Sequence, residues 1–196
     1  MWSRSAAARL TQCLSSIITR VNAPTPDRRR ALWILGVAML ALLAVLALVD
    51  GRIQESGGPG IIAFEVAGSP ERAREIMDQW GQAGQDAARL SLWLDFPYLL
   101  AYGAFWALAA AAVRDSARRR GLHRLGRVGG PVVAFPIAAT GFDALENLGL
   151  LLILGGNRGT AAPVLAATFA SAKFALTAIT VLYVLAGLVT HLARRG

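Results

Sequence analysis

Asp143, Glu146 and Lys173 stand inside long apolar stretches, and Asp95 stands just inside the start of another. Ionisable groups at membrane depth are costly, so they are rare and usually have a partner or a job. Carboxyls and an ammonium can do three kinds of chemistry there. They can bind a proton, a cation or a cationic small molecule. They can supply acid, base and oxyanion stabilisation to a reaction. They can also pair with one another and hold helices in register.

The spacing gathers these groups. At helical periodicity Thr140, Asp143, Glu146 and Asn147 share one stripe. Lys173, Thr177 and Thr180 form a second stripe, and Asp95, Tyr98 and Tyr102 a third. Asp143 lies 11 residues before Leu154 and Lys173 lies 10 after Pro163. At 1.5 Å per residue both reach roughly 15–17 Å deep, near the middle of a ~30 Å hydrocarbon core. Glu146 is shallower, and Asp95 shallower still. Asp143 and Glu146 face one lysine, so the group carries surplus negative charge. A retained proton or a bound cation restores the balance.

The elements that must carry these stripes are read from hydropathy. Ala31 to Val49 is an uncharged apolar run, near the roughly 20 residues that cross a bilayer. Further spans are expected at about 91–113, 128–154 and 161–192. The expected fold is an all-α integral membrane protein, a four-transmembrane-helix bundle occupying residues 31–193. Residues 1–30 are expected to be a basic cytoplasmic tail. Within it Leu10, Leu14, Ile17, Ile18 and Val21 fall at helical spacing, which suits an interfacial helix or a targeting segment.

Residues 50–90 read as a polar outer loop in which acids outnumber bases. Ser69-Pro70-Glu71 looks like a helix start, with Ala73, Ile76, Met77 and Trp80 on one face and Gly81 as a stop. A short amphipathic helix at the interface is expected there, anchored by Trp80 and covering the polar stripes. Residues 114–127 form a strongly basic inner loop containing Arg114, Arg118, Arg119, Arg120, Arg124 and Arg127. With a basic tail and Arg194–Arg195 at the other terminus, the positive-inside rule places both termini inside. Ala-rich stretches at 105–113 and 161–170 supply the small residues that close helix contact requires.

Composition excludes several classes. The chain has 196 residues, of which 55% are hydrophobic and only 16% charged. That is too apolar for an ordinary soluble domain. The net charge of +8 flanks the spans rather than forming a recognition surface, so nucleic acid is excluded. Anionic lipid headgroups are the expected counter-charge, in a bacterial inner membrane. Cys13 is the one cysteine, and His123 and His191 lie in connecting or terminal segments. No metal or cofactor is therefore expected. No phosphate-binding, hydrolase or zinc-protease motif is present.

Bland readings stand beside these. Asp95-Phe96-Pro97 also suits a helix start, with Asp95 as the cap. Pro136 to Gly141 suits a broken helix or an ordinary kink. In the functional reading Asp143 and Glu146 titrate, Lys173 tunes them, and Asp95 with Tyr98 and Tyr102 forms an entrance. The expectation is binding or transport of a proton, a cation or a small ligand, with a homo-oligomer because four helices are few for a carrier. The alternatives are a structural membrane subunit with a buried ion pair and, behind it, an enzyme acting on a lipid or isoprenoid.

Overall fold

The computed structural model describes residues 25–157 and 159–193. The tail at 1–24, with its expected amphipathic helix, lies outside the described residues. Six helices follow one another: α1 Thr25–Glu55, α2 Ile61–Glu65, α3 Pro70–Arg119, α4 His123–Val132, α5 Phe135–Leu154 and α6 Ala161–Leu192. Four helical stretches are long and apolar enough to cross a membrane: α1, α3, α4 with α5, and α6.

Polar contacts fix how the chain runs. Arg28 Nη1 at the start of α1 lies 2.9 Å from Asp115 Oδ2 near the end of α3. Tyr183 of α6 donates to the Leu125 carbonyl of α4 at 3.2 Å. These contacts gather the basic segments at one end of the bundle. At the other end Arg89 Nη2 donates to the Leu154 carbonyl at 2.8 Å. Asp50 Oδ1 accepts the Ile61 amide at 2.7 Å, which holds α2 against the end of α1.

Packing follows the small residues. Ala107, Ala110 and Ala111 of α3 are buried, as are Ala166 and Ala170 of α6. Without side-chain bulk the helix backbones approach closely, which is how helices associate in lipid. α3 and α5 also pack tightly, and a Cβ at Gly103 would collide with the Thr140 hydroxyl. The core beneath the polar connection includes Phe64, Ile76, Trp80, Leu92, Leu150 and Ile153. By contrast α1 leaves Trp33, Val37, Leu40 and Leu48 exposed, as a lipid-facing helix does.

The polar connection at 50–90 is mostly helical rather than a loop. Ser69 caps α3 by accepting the Arg72 amide at 3.2 Å, as expected. Gly81 does not end the helix. Its backbone takes φ 56° and ψ −165°, and helix resumes at once on the far side. Only glycine enters that left-handed region freely, so the residue makes a kink instead of a stop. The second span is therefore the middle of a long helix, and Asp95 is not its cap.

Trp80 is also placed differently from the expectation. It is 1% exposed, packs against Phe64 with ring centres 5.0 Å apart and the planes tilted by 59°, and donates to the Pro59 carbonyl at 2.6 Å. It is a core residue rather than a headgroup anchor. Its indole finds apolar partners on α2 that hydropathy alone did not place. The basic loop expected at 114–127 shrinks to the turn between Arg119 and His123, because α3 continues past its apolar run.

The third span is divided, but at Val133–Ala134 instead of Pro136–Gly141. Pro136 has no N–H to give the Val132 carbonyl. The chain there makes a tight turn, with Ala134 N donating to Pro131 O at 3.0 Å. Beyond it α5 runs unbroken through Gly141 to Leu154.

Candidate functional site

Lys173 is the only lysine in the chain. It projects from the middle of α6, is 7% exposed, and stands among three carboxylates. Its Nζ donates to Asp143 Oδ1 at 2.8 Å and to Glu146 Oε1 at 3.0 Å. The third partner is Glu65, whose Oε2 is 3.3 Å away. An ammonium carries three protons and can serve three acceptors, which a planar guanidinium cannot do from one point. The Phe174 ring lies 5.0 Å from Nζ and adds a π face beside the charge.

Glu65 was missed in the sequence. It is one of seven acids in the polar connection, and nothing in its spacing marks it. The available signal was the apolar run Ile61 to Phe64 just before it, between glycines. That run folds as α2 and buries Phe64 to 1% exposure, which swings Glu65 down to the ammonium. The cover over the polar centre is thus α2 more than the helix at 70–80.

The expected stripes meet in part. Tyr102 donates its hydroxyl to Asp143 Oδ2 at 2.9 Å, so both oxygens of that carboxylate are used. Asn147 Nδ2 donates to Asp95 Oδ2 at 2.7 Å. Asp95 is therefore attached to the group through an amide. Tyr98 stacks beside Tyr102 with ring centres 5.3 Å apart.

The supporting threonines divide. Thr177 borders the cavity described below. Thr140 donates to the Pro136 carbonyl at 2.9 Å and to the Leu99 carbonyl at 3.2 Å, joining α3 to α5. Thr180 is buried but donates to its own helix at the Leu176 carbonyl, 2.8 Å away, and does not reach the cluster. A hydroxyl with a carbonyl one turn back can satisfy itself without a tertiary partner.

A cavity of about 320 Å³ opens beside the cluster. Asp50, Glu65, Asp95, Asp143 and Lys173 supply its polar lining, while Leu43, Leu46, Trp106 and Phe174 supply apolar walls. Glu146 is fully buried behind it. Concave sites with apolar walls and a few convergent polar groups are the usual form of a small-molecule site. Among the described residues no three carboxylate, imidazole or thiolate groups converge as a metal site.

The basic end is organised separately. Asp115 accepts from Arg28 and from Arg114, each at 2.9 Å. It lies beyond the apolar run of α3. Burial pushes its carboxyl up, but the hydrogen bonds from Arg28 and Arg114 outweigh burial and hold it below the usual carboxylate range. His191 lies in the last turn of α6, at this end of the bundle.

Fold and site together define the class: a helical bundle with four candidate membrane spans around a buried, lysine-centred ion cluster. Four such apolar helices point to an integral membrane protein. No protein family, curated protein or solved structure matches this chain.

Proposed function

We propose that the chain binds a cation or a protonatable small ligand in its intramembrane cavity. One observation carries the reading. Glu65, Asp143 and Glu146 share a single ammonium, Asp95 adds a fourth carboxyl bonded to Asn147, and Glu65, Asp95 and Asp143 border an open cavity. Surplus negative charge in a low-dielectric site is unfavourable until a proton or a cation joins it. Lys173 sets how much charge is left over. Asp95, bonded to a neutral amide, is the carboxyl best placed to receive the ligand. Both termini lie inside in this reading, with the cavity in the outer half of a bacterial inner membrane. Movement of the ligand across the bilayer would use a homo-oligomer, since four helices are few for a carrier.

Tryptophan fluorescence in lipid nanodiscs tests the reading, because Trp106 borders the cavity. The wild-type signal is expected to change from about pH 5 to 8 and on addition of ammonium salts, and Asp95→Asn to flatten both responses. Identical flat signals from the two proteins would sink it.

A second reading is a purely structural lock. It is favoured by the pairing of Lys173, which donates to Asp143 and Glu146 and has Glu65 within ion-pair distance. In that case charge-neutral replacement of the whole cluster leaves the protein stable and its cellular role intact.

A further inference from the structure

The cavity is elongated, and its two ends differ in chemistry. Its lining on α3 runs from Ser91 to Trp106, roughly 22 Å along the helix axis. Asp50, Glu65 and Asp95 lie toward the end where α1 and α2 meet. Leu43 and Trp106 lie toward the middle of the bundle. The long side of the cavity is also open. α1 packs along α3 and makes no extended contact with α6. Leu43 of α1 and Phe174 of α6 both line the cavity at that seam, and each is 44% exposed. In a membrane such a seam opens onto lipid, not water.

From this geometry we infer that the ligand is an amphiphilic amine that enters sideways from the bilayer. Its cationic head sits against Asp95, Glu65 and Asp143, and its apolar chain lies in the seam between α1 and α6. The inference rests on the cation-binding reading and names the class of cation. Three features select it. The surplus carboxyls attract an ammonium and repel a phosphate, so a phospholipid headgroup is disfavoured. The Tyr98 and Tyr102 rings beside Asp95 offer π faces to an organic cation. The apolar walls have no polar partner for a hydrated inorganic ion, but they match a hydrocarbon chain.

The test uses the full chain in phosphatidylcholine nanodiscs, with binding read from the change in total tryptophan fluorescence and adducts counted by native mass spectrometry. Dodecylamine, dodecanol and ethylamine are compared, the two long-chain probes at equal mole fraction in the bilayer so that partitioning cancels. Dodecylamine is expected to bind with one molecule per chain and about tenfold more tightly than dodecanol, with ethylamine weaker than dodecylamine. Asp95→Asn is expected to remove that preference, and Leu46→Trp, which fills the seam, to weaken dodecylamine alone, read for this variant from the adduct count because it adds a fluorophore. If ethylamine binds as well as dodecylamine and Leu46→Trp changes nothing, the amphiphile is overturned while the cation site stands. If no amine binds the wild type, or dodecanol binds equally, both readings fall. The wild-type comparison holds even where a variant fails to fold.

Discussion

Lys173 and Glu65 meet at 3.3 Å, although one stands mid-way along the last long helix and the other ends a five-residue helix in the polar connection. The contact ties the cover of the polar centre to its floor. It also changes the charge problem. The ammonium is shared among three carboxylates rather than two, so its removal exposes more uncompensated charge than an Asp143–Lys173 pair would.

Replacement of Lys173 should therefore be the most damaging single change in the cluster. Lys173→Met leaves three buried carboxyls without their cation, and a loss of about 3–5 kcal/mol is expected. Glu65→Gln keeps the other two ion pairs and should cost less, about 1–2 kcal/mol, while releasing α2. Thermal unfolding in detergent measures the order, and cysteine labelling at position 62 reads the release. Equal losses would contradict the shared geometry.

A two-residue swap should not rescue the cluster. If Asp143 and Lys173 formed an isolated pair, Asp143→Asn combined with Lys173→Met would be nearly neutral. With Glu65 and Glu146 also on the ammonium, the double variant should stay destabilised. Stability should return only when Glu65→Gln and Glu146→Gln are added. Full recovery in the double variant alone would show that Glu65 and Glu146 contribute nothing to the balance.

Gly103 sets the distance between α3 and α5 at the level of the Tyr102–Asp143 hydrogen bond. Gly103→Ala should push Thr140 aside and cost about 1–3 kcal/mol, as overpacking does. Thr140→Ala in the same chain removes the colliding hydroxyl and should recover much of that loss. Unfolding curves of the two single variants and the double variant give the coupling directly.

The Asp115 contact with Arg28 and Arg114 should show a simple pH dependence. Its carboxyl is held below the ordinary value, so its stabilisation is present above the unfolded pKa of about 3.9. That stabilisation is lost as pH falls through the folded value. Asp115→Asn should therefore cost at most about 1 kcal/mol near neutrality, and the difference from wild type should vanish in acid. A difference that grows on acidification would reverse the sign of the argument.

The placement of the ends is testable with single cysteines in a Cys13→Ser background. A cysteine at position 86 should react with an impermeant reagent added outside intact cells, and one at position 120 only after permeabilisation. The opposite pattern would invert the bundle and put the cavity on the inner side.

Much of this architecture was legible in the chain itself. Long apolar runs set the number of helices, because every backbone polar group in hydrocarbon must bond within its own helix. Depth along those runs placed Asp143 and Lys173 at one level, and they are in contact at 2.8 Å. The alanines of 105–113 and 161–170 announced close packing. What local pattern could not reveal depends on contacts between distant segments. Glu65 looks like any other acid of a polar connection until Phe64 is buried and turns it inward. Gly81 reads as a stop until Gln82 onward packs as helix, and Trp80 reads as an interfacial anchor until α2 covers it. The seam between α1 and α6 exists because α1 packs along α3 and makes no extended contact with α6. Periodicity reports which face of a segment avoids water. It does not report which neighbour that face will find, and tertiary packing decides that.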